Sequence, residues 1–148
     1  MPGKGQPLLA EDLIELVEGE CAEGIGNTMI PTYEQAREMQ SQQNSWTFFS
    51  DEYDPLACGG FIPVWPGRWI AWLYVAGNVP RQYRISLLRY IKSRFNGIHG
   101  RIEAEVRADF VKGQRLLETL GFYVENPPGI LRQYGPAGED FVSYVRFN

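Results

Sequence analysis

At 148 residues, 44% apolar and 22% charged, the chain is long enough to bury one sizeable core and too apolar to stay disordered. A single domain over 1–148 is expected. No apolar run approaches the roughly 20 residues of a membrane helix, and Met1-Pro-Gly-Lys-Gly-Gln-Pro lacks the apolar stretch of a signal peptide, so the expected compartment is cytoplasmic with no membrane partner. The net charge of −4 is unevenly spread: residues 1–54 hold eleven acids and two bases, residues 55–102 seven bases and no acid, and residues 103–148 seven acids and five bases. The acid-free block implies an anionic partner, whether a phosphorylated cofactor, a nucleic acid or an acidic protein surface, or else pairing with the acidic N-terminal helices of the same chain. Cys21 and Cys58 have no metal-type spacing and read as two buried thiols.

In chain order, Leu8 to Val17 reads as a helix with Leu9, Leu13, Leu16 and Val17 on one face and Glu11, Asp12, Glu15 and Glu18 on the other. Gly24 and Gly26 end any extension of it. Thr32 can cap a second helix from about Tyr33 to Gln43, with Gln35 as its capping-box partner and Pro31 keeping the entry extended. Ser45 to Ser50 and Leu56 to Trp65 read as strands joined by the turn Asp51-Glu52-Tyr53-Asp54-Pro55. Gly59-Gly60 inside the second marks a bulge or a close backbone approach. Pro66-Gly67 turns into a third strand from Arg68, rich in aromatic and β-branched residues.

Gly77, Asn78 and Pro80 then form a turn into a helix from Arg81 to Phe95, with Leu87, Leu88, Ile91 and Phe95 on one face. Its first N–H groups and its dipole make an anion site, to which Arg81 and Arg84 add bidentate donors. The bland alternative is a solvated basic helix face. Arg101 to Arg107 alternates as a half-exposed strand, and Asp109 can cap a helix from Phe110 to Leu120 that Gly121 ends. Phe122-Tyr123-Val124 starts a strand, Ile130 to Tyr134 resumes one, and Phe141 to Phe147 closes the chain. The order α-α-β-β-β-α-β-α-β-β implies an α/β or α+β fold with at least one parallel crossover.

That order, the central strand–turn–basic helix, and the closing Gln114-Arg115-Leu116-Leu117-Glu118-Thr119-Leu120-Gly121-Phe122 resemble the GNAT N-acyltransferase family, from about Gly59 to the C-terminus. The resemblance implies a mixed sheet of about six to seven strands with about four helices. It also implies acetyl-CoA or another acyl-CoA as ligand, held where two central strands splay. The residues matching the acyl-CoA site are Tyr74, Val75, Arg81, Tyr83, Arg84, Ile85 and Ser86. Departures are plain. Arg84 and Ser86 stand where the family's loop has glycine and a second small residue. Leu117 stands where its tyrosine acid falls, and Phe110 where an asparagine often starts the last helix. The family's first strand is missing on this reading, since Met1 to Pro7 is short and rich in Gly and Pro. Among such folds the chain resembles the internal virion protein A group of short-tailed lytic podophages. That likeness implies other virion proteins as partners and the host cytoplasm or virion as location.

Among single residues, Glu105 is a candidate base on the strand beside the acyl-CoA groove, against the reading of a solvent-facing glutamate. His99, the only histidine, lies in a loop and reads as a turn residue. Glu52 and Asp54 fall in a hairpin turn, where Asp is favoured anyway. Trp65, Trp69, Trp72 and Tyr74 read mostly as core, with stacking on an adenine or single-stranded nucleic acid as the alternative. No Ser-His-Asp set, metal-ligand cluster or Walker loop is present. Three functions stay open: an acyl-CoA-dependent N-acetyltransferase with an altered loop, a non-catalytic virion or assembly protein, and a nucleic-acid-binding module.

Overall fold

The computed structural model describes residues 2–19, 23–26 and 30–148. The elements in chain order are β1 (Lys4–Pro7), α1 (Ala10–Glu18), β2 (Glu23–Ile25), α2 (Tyr33–Ser41), β3 (Trp46–Phe49), β4 (Pro55–Trp65), β5 (Arg68–Val75), α3 (Arg81–Arg94), β6 (Arg101–Arg107), α4 (Val111–Thr119), β7 (Ile130–Leu131) and β8 (Phe141–Phe147). One mixed sheet runs β1-β3-β4-β5-β6-β8-β7, with β2 added alongside β5. Every pairing is antiparallel except β5 with β6, which α3 connects as a parallel crossover. Among the described residues the sheet thus has eight strands rather than six or seven, with the four helices expected.

Helices cover both faces. The larger core lies under α3 and α4, where Leu87, Ile91 and Phe95 meet Phe48, Phe61, Leu73, Ile102, Ala104 and Val106. Leu88 of the expected α3 face is only partly buried against it. The smaller core lies under α1 and α2, where Leu13, Leu16, Val17 and Ala36 meet Cys58, Trp72 and Tyr74. Burial pushes the Cys58 thiol up to about 12, which keeps it protonated and inert. Cys21, its expected companion, lies outside the described residues.

Local signals explain most boundaries. Thr32 and Gln35 form the expected reciprocal box: the Gln35 N–H donates to Thr32 Oγ1 at 3.2 Å and the Thr32 N–H to Gln35 Oε1 at 2.9 Å. Gly59-Gly60 is a close approach and not a bulge. The register runs unbroken through both, and a Cβ on Gly59 would sit 2.5 Å from the Trp46 ring.

Four expectations need correction. Lys4–Pro7 is a strand after all, because pairing with β3 supplies the hydrogen bonds that its composition does not advertise. Helix α1 starts at Ala10. Leu9 is its N-cap and is 50% exposed, so Leu8 takes the core position instead. Asp109 does not cap α4; it pairs with Arg107 at 3.0 Å, and Phe110 occupies the cap without a side-chain bond. The strands expected over 122–124 and 130–134 shrink to a single bridge, Tyr123 to Val145, and the two residues of β7.

No helix among the described residues is long and apolar enough to cross a membrane.

Candidate functional site

The central feature is a parting of two strands. β5 pairs with β6 only from Arg68–Arg101 to Ile70–Glu103, and beyond Ile70 the ladder stops. Side chains lock the paired end. Arg68 Nε and Nη2 donate to Glu103 at 2.5 and 2.9 Å, and Arg101 joins Glu103 at 3.3 Å and Glu125 at 2.6 Å. The Arg68 hydrogen bond, against a smaller desolvation cost, holds the Glu103 carboxyl below its ordinary value of 4.5. A carboxyl lowered on folding adds stability above its unfolded value and loses it as pH falls through the folded one. Glu103→Gln is therefore expected to lower the urea midpoint at pH 7. The gap from wild type should close as pH drops well below 4.5. A gap that persists in acid would mean that packing, and not charge, accounts for the loss.

Two clefts flank the strands, one reaching from the paired end to the parting and one beyond it. One, of about 390 Å³, is lined by Gly26, Arg68, Ile70, Glu103, Ala104, Glu105 and Tyr134. Glu105 faces it because β6 alternates: Ile102, Ala104 and Val106 are buried under α3 and α4, which turns the glutamates to the other side. The Tyr134 hydroxyl donates to the Glu105 carboxylate, and that bond, with burial, pushes the tyrosine up to about 12. The other cleft, of about 170 Å³, runs between the end of β5 and the start of α4, past Val75, Ala76, Gly77, Phe110, Lys112 and Gly113. A third, small space of about 40 Å³ is lined by residues of the larger core and is almost wholly apolar.

The β5–α3 corner is more divided than the sequence implies. No acid stands in the first turn of α3, and Pro80 precedes it in extended conformation. The first N–H groups of the helix, at Arg81 and Gln82, therefore lie at an end with no acidic side chain of its own. Arg81 and Arg84 are both exposed there, although Arg84 Nε bends back to donate to the Val79 carbonyl at 3.1 Å. Val75 lines the 170 Å³ cleft. Ile85 is 65% exposed on the outer surface. Tyr74, Tyr83 and Ser86 turn inward, at 5%, 2% and 7% exposure. Tyr74 packs under α1 and α2, and burial pushes its hydroxyl up to about 12. The Tyr83 hydroxyl accepts the Asp51 N–H at 3.1 Å and lies 3.3 Å from carboxylate oxygens of both Asp51 and Glu52.

The ion pairs described join Arg68 and Arg101 to Glu103, Arg101 to Glu125 and Arg107 to Asp109; none of these ties α3 to the acidic N-terminal helices. Leu117 is core at 3% exposure. The carbonyl of His99 accepts the Trp69 indole N–H at 3.0 Å, a turn role. Of the tryptophans, Trp46 and Trp72 are buried while Trp65 is 58% exposed at its hairpin.

Sequence reasoning missed Tyr134, Lys112 and the pair Ile25–Gly26. Tyr134 comes to Glu105 only through the β6–β8–β7 pairing, and no local spacing links the two.

The fold is that of known acetyltransferases. An acetyltransferase of the GNAT family from Bacillus anthracis superposes with a TM-score of 0.65 at 14% identity, covering 99% of this chain and 95% of that one. Ard1 from Thermoplasma volcanium gives 0.71 at 12% identity, covering 99% and 98%. The ribosomal-protein-S5-alanine acetyltransferase from Vibrio fischeri gives 0.68 at 16% identity, covering 100% and 94%. No protein-family model matches the sequence, and no curated protein matches it.

Proposed function

We propose that the chain, acting as one unit over 1–148, transfers an acyl group, acetyl first among them, from acyl-CoA to an amine. The observation that carries this reading is the β5–β6 parting, with an apolar cleft on one side and a carboxylate-bearing cleft on the other. The acetyltransferase fold supports it. In this reading the phosphates of the donor meet the first N–H groups of α3, Arg81 and Arg84, with Lys112 on the opposite rim. Val75 and Gly77 line the way inward. Tyr83, Ser86 and Tyr74 shape the corner from inside, and Ile85 contributes from the outer surface only if the donor's nucleotide end lies over α3.

Amide formation needs chiefly alignment. The amine nitrogen attacks the thioester carbonyl carbon, the C–S bond breaks, and the amine loses one proton. Glu105 takes that proton and returns it to the departing thiolate sulfur, so charge balances over the cycle. The Tyr134 O–H fixes the direction of the carboxylate. Such chemistry suits a cytoplasmic location.

One set of observations favours a second reading, a non-catalytic protein that keeps the fold; an assembly or virion role of the short-tailed phage kind, in host cytoplasm or virion, is the proposal that would go with it. Arg84 and Ser86 replace the small residues of the family loop, and Leu117 is core where a tyrosine is usual. A fold does not bring its usual activity with it.

Titration calorimetry with acetyl-CoA separates the two. Micromolar binding that weakens at least tenfold in Arg81→Ala or Arg84→Ala supports the transferase, since losing one charged hydrogen-bonding partner costs about 1.5–3 kcal/mol. No heat at millimolar acetyl-CoA, with wild type and Gly26→Val alike, supports the assembly protein. DNA binding that falls steeply with salt would instead point to a nucleic-acid module on the basic face of α3.

A further inference from the structure

The space where β5 and β6 part is filled by the chain itself. Glu23, Gly24 and Ile25 pair antiparallel with Val75, Tyr74 and Leu73, on the β5 edge that β6 has left. The next residue reaches the far wall, where the Gly26 N–H donates to the Glu105 carbonyl at 2.7 Å. Four residues therefore bridge the parted strands. They also divide the two clefts: Ile25 lines the apolar one and Gly26 the one holding Glu105.

The fit of this segment is specific. A Cβ on Gly24 would sit 2.7 Å from the Tyr74 ring. Gly26 has φ +78°, and a Cβ there would lie 2.1 Å from the Ala71 carbonyl oxygen. One apolar peg, Ile25 at 4% exposure, enters the larger core. The edge beneath cannot stand bare, since buried strand N–H and C=O groups need partners. Whatever replaces the segment must supply amides along an extended chain, as a strand-adding ligand does. The pantetheine arm of coenzyme A carries two such amides.

We infer that Glu23–Gly26 is an internal substitute strand that closes the acyl-arm groove, and that acyl-CoA binds by displacing it and joining the two clefts into one passage to Glu105. This rests on the transferase reading above. In the resting protein the donor has an anchoring corner at α3 but no path to the carboxylate.

Amide hydrogen exchange on the full chain, with and without saturating acetyl-CoA, tests this alongside calorimetry of wild type and Gly26→Val. Displacement predicts that protection of the Ile25 and Gly26 amides falls at least tenfold on binding while Leu73 to Val75 stay protected. It also predicts that Gly26→Val, which cannot seat against Ala71, binds acetyl-CoA at least tenfold more tightly than wild type. Binding by Gly26→Val alone would support the inference equally. Wild-type binding with undiminished protection at Ile25 and Gly26 overturns the substitute strand and leaves the transferase reading standing. Absence of binding by both proteins at millimolar acetyl-CoA overturns both.

Discussion

Glu105→Gln is expected to lower kcat/KM for acetyl transfer to a primary amine by about 10²- to 10⁴-fold, the range general base catalysis contributes, while acetyl-CoA affinity stays unchanged. Glutamine keeps the shape of the side chain and an acceptor for the Tyr134 hydroxyl, but it cannot take a proton. Glu105 is the carboxylate that faces the open cleft without an arginine clamp; its neighbour Glu103 is held by Arg68 and Arg101. Tyr134→Phe separates proton transfer from positioning. It leaves the base in place and removes only its tether, so a loss of about tenfold is expected, in line with one lost hydrogen bond. Steady-state kinetics with acetyl-CoA and an amine panel, at saturating donor, would measure both. If Glu105→Gln matches wild type, the proton goes to water and Glu105 is only a wall of the cleft.

Gly100→Ala is expected to destabilise the fold by about 3–5 kcal/mol, adding a forbidden backbone angle to broken hydrogen bonds. Gly100 has φ +109°, and a Cβ would lie 2.3 Å from the Gly67 carbonyl oxygen. The obstacle is backbone and cannot rotate aside. That same oxygen accepts the Arg101 N–H at 2.8 Å, and Gly100 exchanges two 2.9 Å backbone bonds with Asn148. Any shift that relieves the clash loosens the start of β6, where the parallel ladder with β5 begins. Gly97→Ala is the control, at φ +85° with nothing within 4 Å. It should cost only the angle, about 1–2 kcal/mol. Urea unfolding of both variants decides the matter: equal losses would mean that backbone angle alone, and not the contact with Gly67, makes glycine necessary at 100.

The meander β3–β4–β5 was legible from its aromatic and β-branched composition, the helix after it from apolar residues at helical spacing, and β6 and β8 from alternation. The capping box at Thr32 and Gln35 was legible for the same kind of reason, two side chains satisfying local backbone groups. What escaped is held together by partners distant in the chain. Lys4–Pro7 has no strand composition and becomes one through Trp46–Phe49. Glu23–Ile25 is three residues long with glycine at its centre, and only the vacated edge of β5 makes it a strand. Gly24 and Gly26 looked like helix stops; their lack of side chains instead admits them between Tyr74 and Ala71. That Glu105 turns away from the core was legible from the alternation of its strand, but its contact with Tyr134 was not, because the reach between them is set by β8 and β7. Tyr83 and Ser86 turn into the core. Helical periodicity placed the arginines outward, and the same periodicity turns these two toward the core.

The borders of the sheet have a bearing on self-association. On one side the last strand is four residues long, begins with Lys4 and ends with Pro7, which has no N–H to share; on the other it is only Ile130 and Leu131. A second molecule finds little backbone to zip onto at either border. Concentrated solutions should therefore resist ribbon-like polymerisation through these two outermost strands.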